Sequence, residues 1–299
     1  MSRTLTYFIS EADAACSILD FLKKQGYSRK IIASLKKGPY GVLCNDRWAY
    51  VWEPLHAGDH LTIRLPEDSP SEHIPAIALP LNIIYEDEDI LVVNKPAGMP
   101  IHPSMNHYEN TLANAVMWYY ESQGISFTFR CVNRLDRDTS GLTIIAKHML
   151  SSHLLSQQVR ERNLSREYLA IAEGITPKSG TIDAPIARKA DSVLERCIDP
   201  EHGEHAVTHY QRLSCTNELS MLSLHLETGR THQIRVHMAS IGHPLIGDFL
   251  YNPDNHLMQR QALHSFRLTF FHPITHEKMT FTAPLPDDMR TFFAFPNTI

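Results

Sequence analysis

The chain has few cysteines: five in 299 residues, an odd number with no C-x-x-C pair. Cys16, Cys44, Cys131, Cys197 and Cys215 are widely scattered, which excludes a disulfide scaffold and a cysteine zinc site and points to a reducing cytosol. A signal segment is also missing, since Met1-Ser2-Arg3-Thr4 runs into Glu11 and Asp13 without an apolar core. No uncharged apolar run reaches membrane-spanning length, and there is no internal repeat. The 18 histidines include no H-E-x-x-H. His202-Gly203-Glu204-His205 and the pair His232 and His237 lack a third ligand at a workable offset, so neither a metal nor another cofactor is expected. What is present is 43% hydrophobic and 20% charged, enough for a real core and against intrinsic disorder. The length suggests about two domains, and the whole describes a soluble cytoplasmic protein with nothing to suggest more than a monomer.

Net charge is −5 with an isoelectric point of about 6.4, which argues against a uniformly basic surface. The distribution is uneven. Residues 1–66 hold nine basic and six acidic side chains, whereas residues 67–94 hold seven acids and no Lys or Arg. Pro66-Glu67-Asp68-Ser69-Pro70-Ser71-Glu72, followed by Pro75 and Pro80, reads as an extended linker over 67–80. It divides a small unit, 1–66, from a large one, 81–299.

In the small unit, Ile18, Leu19 and Leu22 and then Ile31, Ile32 and Leu35 fall at helical spacing, with Ser28 a plausible N-cap for the second helix. Lys23, Lys24, Arg29, Lys30, Lys36 and Lys37 take their polar sides. Strand-like pieces follow at 41–44 and 61–65. In the large unit, Ile83-Ile84-Tyr85 and Ile90–Val93 flank an acidic turn as a hairpin, Thr111–Tyr120 reads as a helix, and 142–146 reads as a strand entering a second helix. Tyr168–Ala172 has the apolar run of an interior strand, Met221–Glu227 alternates, and Ile234, Met238 and Ile241 resume helical spacing with Thr231 as a possible cap. Leu263–Ala283 reads as a hairpin. Strands and helices mix without strict alternation, so the expected class is α+β with a mixed, largely antiparallel sheet.

Two clusters could carry chemistry. Asn133-Arg134-Leu135-Asp136-Arg137-Asp138-Thr139-Ser140-Gly141 is either a salt-bridged turn or a site where a guanidinium steadies an inward carboxylate. Thr228-Gly229-Arg230-Thr231-His232-Gln233 stands where a strand gives way to a helix, a place for anions or simply a capped helix. Tyr168 alone would be a core aromatic.

Together these segments resemble a family. Residues 133–142 resemble the His-Arg-Leu-Asp-x-x-Thr-Ser-Gly signature of the RluA-type pseudouridine synthases. Residues 93–103, Arg166-Glu167-Tyr168-Leu169-Ala170, and Gly229-Arg230-Thr231-His232-Gln233-Ile234-Arg235-Val236-His237 follow in the family's order. Residues 1–66 are more distantly similar to the αL RNA-binding domain named after a small-subunit ribosomal protein. The resemblance implies isomerisation of a uridine flipped out of structured ribosomal or transfer RNA, with no metal or cofactor. It implies Asp136 as the catalytic aspartate, Arg230 as its pairing arginine, Tyr168 against the base, and Arg134 holding the uridine out of its stack. The basic helices would contribute phosphate contacts. Two positions depart from the pattern: Asn133 stands where His is usual, which implies altered RNA positioning, and Arg166 replaces a Lys. Other readings are a non-catalytic RNA-binding or ribosome-assembly protein on the same fold, and a nucleoside-directed glycosidase. The latter needs a second carboxylate, for which only Asp138 is near in sequence.

Overall fold

The computed structural model describes residues 3–37, 40–67, 71, 73–105, 107–216 and 218–293. The first unit is a four-stranded antiparallel sheet with two helices: β1 (Arg3–Phe8), α1 (Ile18–Lys24), α2 (Arg29–Leu35), β2 (Val42–Cys44), β3 (Arg47–Trp48) and β4 (His60–Leu65), in sheet order β1-β4-β2-β3. Ser17 and Ser28 cap the helices by accepting from the backbone N–H groups of Asp20 and Ile31. Each helix turns one apolar stripe inward, Ile18, Phe21 and Leu22 from α1 and Ile31, Ile32 and Leu35 from α2. β1 is not marked in the sequence pattern, because only Leu5 of its six residues is buried.

This unit is fastened to the rest of the chain. Its core includes Leu150, and Met149, Leu154 and Ile274 pack against it. Gly26 makes the fit possible, since a Cβ there would lie 2.4 Å from the Leu154 side chain and its φ is +81°. Arg3 donates to both carboxylate oxygens of Asp89, at 2.8 and 3.2 Å. Residues 75–80 of the connecting segment have no regular secondary structure, yet the segment packs. Ile74 and Ala76 lie on the large unit's core, and the Asn114 side-chain amide donates to the Pro75 carbonyl at 2.8 Å.

The large unit runs β5 (Ile83–Glu86), β6 (Ile90–Lys95), α3 (Leu112–Glu121), β7 (Ser140–Ala146), α4 (Met149–Arg160), β8 (Ser165–Glu173), β9 (Ser179–Asp183), β10 (Ile186–Arg188), β11 (Arg196–Ile198), β12 (Val207–Cys215), β13 (Leu219–Leu226), α5 (Gln233–Ser240), β14 (Leu263–Phe271), β15 (Lys278–Thr282) and α6 (Asp287–Arg290). Nine strands form one sheet in the order β5-β6-β7-β14-β8-β13-β12-β9, with β15 on β14, while β10 and β11 pair separately. All neighbours in the large sheet are antiparallel except β7 and β14. The α+β, largely antiparallel expectation therefore holds. Gly141 allows the parallel contact: a Cβ there would lie 2.3 Å from the Ser265 carbonyl oxygen, and its φ is +111°. β13 is buried on both faces through most of its length, because α5 covers one side of the sheet and the 246–266 region the other.

Candidate active site

The loop of residues 131–139 enters β7 and is held at three points. The Asn133 side chain donates to the Leu142 carbonyl and accepts from the Ile144 N–H, at 3.2 and 2.9 Å. The buried Lys95 ammonium donates to the carbonyls of Pro96, Met99 and Arg137, at 2.8, 2.8 and 3.0 Å. Arg260 donates to the Asp138 carbonyl at 3.2 Å. Leu135 is buried in the core between these anchors, so Arg134 is exposed and Asp136 is half-buried in a cleft of about 600 Å³.

The partner of Asp136 is Arg235, not Arg230. Arg235, on α5 and 2% exposed, reaches one oxygen of Asp136 at 3.0 Å through Nη1. Its Nε and Nη2 grip Asp248 at 2.7 and 2.8 Å, forming a two-pronged pair with a fully buried carboxylate. Burial alone would push the guanidinium down, but Asp248 and then Asp136 outweigh it and hold it charged. Asp248 is held in turn by the N–H groups of Leu250 and Tyr251. The Arg230 guanidinium points the other way, to the Glu204 carboxylate and the His205 carbonyl. Its place on the loop before α5 directs it to the cleft rim, whereas Arg235 is inside the helix and faces the floor.

The N-cap of α5 is His232, in a left-handed conformation (φ +58°), and not Thr231. Its Nδ1 is 3.0 Å from the Tyr251 hydroxyl. That hydroxyl also accepts from the Arg196 N–H, and the His232 Nε2 faces Asp136, 3.9 Å away. Burial lowers the His232 pKa. Asp248 is not singled out by sequence pattern, and the motif that contains His232 and Arg235 does not mark either as the neighbour of Asp136.

Tyr168 and Arg166 lie on the same face of β8 and both line the cleft. Tyr168 is buried, and burial raises its pKa, keeping the phenol neutral. Arg166 donates to the Thr228 carbonyl at 3.3 Å, and its buried Nε has no partner among the described residues. Cys131 also lines the cleft, but burial pushes its thiol up to about 11, so it is no thiolate. Asn133 also lines the cleft, and both ends of its amide are bonded to the β7 backbone.

The six basic residues at positions 23–37 are all exposed, but two are tied. Lys23 pairs with Asp20 at 3.0 Å and Lys24 with Asp13 at 2.6 Å. Arg29, Lys30, Lys36 and Lys37 have no ion partner among the described residues. Among the described residues, Asp87, Asp89 and His272 form the one grouping of metal-ligand type, and none of them lines the cleft. Arg3 donates into Asp89, and that positive charge opposes a cation there.

The RNA pseudouridylate synthase family model matches residues 89–240. The RNA pseudouridine synthase YjbO of Bacillus subtilis is 40% identical over 274 residues, which are 91% of this chain and 96% of that protein. The ribosomal large subunit pseudouridine synthase D of Zymomonas mobilis is 39% identical over 270 residues, 85% of each chain. Among solved structures, the human RNA Pseudouridylate Synthase Domain Containing 1 aligns with a TM-score of 0.57 at 28% identity, covering 70% of this chain and 85% of that one. Sheet, cleft and relatives agree on the class, an isomerase acting on RNA. This chain belongs to the RNA pseudouridylate synthase family, whose members convert uridine to pseudouridine. Among the described residues no helix is long and apolar enough to cross a membrane.

Proposed function

We propose that the cleft isomerises an extruded uridine of ribosomal RNA, with the Asp136 carboxylate as the catalytic group. The observation that carries this reading is the Arg235 fork, which fixes one Asp136 oxygen from below and leaves the carboxylate open to the cleft. In the reaction the bond from C1′ to N1 breaks, the uracil turns, and a bond from C1′ to C5 forms. C5 loses its proton and N1 gains one, so atoms and electrons balance. Asp136 meets the anomeric centre, Tyr168 supplies a flat neutral wall for the detached base, and Arg134 occupies the space the uridine vacates in its stack. Extrusion costs a few kcal/mol, less in a loop than in a duplex, which favours a stem-loop target. The large-subunit name of the Zymomonas relative supports ribosomal over transfer RNA. The small unit would add phosphate contacts, and the protein would act as a monomer in the cytoplasm.

A non-catalytic role finds no support at Asn133, the departure that suggests it. That side chain is part of the loop's frame, so an imidazole there is no proton carrier that the cleft has lost. The test is to map pseudouridine in the ribosomal RNA of cells lacking the protein. One or more sites should revert to uridine, and the wild-type chain but not Asp136→Asn should restore them. Full modification in the deletion strain would overturn the assignment.

A further inference from the structure

The small unit carries three large aromatic rings that its core does not use. Trp48, Tyr50 and Trp52 are 48%, 49% and 69% exposed, while Ala49 and Val51 between them are buried. Ring contacts set all three on one outer surface. The Trp48 and Tyr50 ring centres are 4.4 Å apart, and those of Tyr50 and Trp52 are 5.4 Å apart with planes within 16°. The backbone beneath is fixed. Val51 and Glu53 carbonyls accept from the N–H groups of Leu19 and Ile18, and the Ala49 N–H donates to Val42 at 3.1 Å. The surface is therefore preformed, and exposed aromatic patches of this kind mark binding sites.

We propose that this ladder is a stacking platform for unpaired RNA bases, a second RNA contact separate from the uridine cleft. The proposal rests on the reading that the small unit meets the RNA. Charge argues for this occupant. Residues 1–66 carry nine of the chain's 28 basic and six of its 33 acidic side chains, leaving that unit positive and the remainder strongly negative. The cations belong to neighbouring segments: Lys36 and Lys37 follow α2, Gly41 packs against the Leu35 carbonyl at its end, and the following residue, Val42, bonds Ala49. Arg47 and Arg64 are exposed beside them, with Arg47 only loosely paired to Glu53 at 3.7 Å. Of the acids, Asp46 is exposed and Asp59 is bound by Asn45. Flat rings on a positively charged unit suit a polyanion with flat bases, and stacking on aromatic side chains is tolerant of sequence.

Tryptophan fluorescence tests it, because the chain has three tryptophans and the third, Trp118, is on α3. In the full-length Trp118→Phe protein, a short single-stranded oligouridylate should quench emission saturably, and a duplex of equal length should quench it much less. Trp52→Leu should weaken oligouridylate binding about tenfold, with an unchanged melting temperature, and Trp52→Phe should restore it. The slope of log affinity against log salt should stay the same in the ring variants and fall by about 0.7 per charge in Lys36→Ala and Lys37→Ala. If the lysine variants weaken binding and the ring variants do not, the platform is refuted while RNA contact by the unit stands. If neither does, both fall. Loss of self-association in the ring variants, seen by sedimentation with RNA binding intact, would assign the rings to a second copy and overturn the proposal.

Discussion

At the floor of the cleft, charge is buried and tied from several sides. Arg235 bridges Asp136 to Asp248, Lys95 clamps three carbonyls, and Asn133 is stitched to β7. At the rim, Arg134, Arg137 and Arg230 are exposed, and the ion pairs there are single contacts or pairs between neighbours in sequence. Buried pairs are costly to desolvate and are matched by close geometry, whereas exposed pairs contribute roughly 0–1 kcal/mol and are screened by salt. The floor is thus built for position and the rim for encounter. Asp136 is where the two meet, and the largest effect is expected there. Asp136→Asn should remove turnover while changing RNA affinity by less than about threefold, since the amide has the carboxylate's shape and the rim contacts stay. Single-turnover release of the C5 proton together with filter binding reads both. Loss of affinity in parallel with activity would mean that Asp136 anchors RNA and does no chemistry.

Arg235 should come next, and on two scales at once. Arg235→Met strands the fully buried Asp248 without a counter-charge, a loss of about 3–5 kcal/mol in urea unfolding. Arg235→Lys should recover part of the stability but little activity, because an ammonium cannot grip Asp248 with two parallel bonds and still reach Asp136. Equal activity in the Lys variant would show that charge alone, without the fork, suffices.

The comparison also accounts for what the sequence can reveal. Both arginines of Gly-Arg-Thr-His-Gln-Ile-Arg are plain in the text, and resemblance alone pointed to Arg230. Helical periodicity could not correct this, because α5 is buried all round: Gln233, Ile234, Arg235, Val236, His237 and Met238 are all inside. An amphipathic stripe exists only where one side of a helix meets water. Asp248, thirteen residues on, sits in a segment without periodicity, and only folding brings it to Arg235. By contrast, the Ser28 cap, the β5–β6 hairpin and the interior strand β8 are local, fixed by turn chemistry or an apolar run, and were legible. Asn133 shows the opposite relation, being plain in sequence and tied in structure. It lies in the signature itself, yet its amide serves the backbone.

Lys95 gives a pH-dependent measure of the floor. Burial pushes its pKa down to about 7, with Asp138 and Asp136 pulling back. In the unfolded chain it is about 10.4. Between these values the unfolded state holds the extra proton, so this group's contribution to stability rises with pH from about 7 to about 10. The increase cannot exceed about 1.4 kcal/mol per pH unit. Urea midpoints of wild type and Lys95→Met, taken at pH 7, 8 and 9, should diverge in the wild type's favour. A constant difference would mean that the three carbonyls keep the ammonium charged throughout.

The smallest effect is expected at Arg230, and it is the sharpest check on the division between floor and rim. Its side chain is 39% exposed and pairs with that of Glu204, itself 68% exposed. Arg230→Ala should therefore cost no more than about 1 kcal/mol of stability, and Glu204→Ala should cost about the same, since each removes one pair. Turnover should fall far less than in Arg235→Lys, with any loss appearing in KM as a weakened grip on phosphate that added salt makes disappear. If Arg230→Ala instead abolished kcat with an intact melting temperature, the side chain would have to leave Glu204 and swing over the cleft when RNA binds, and the rim would then be part of the catalytic floor.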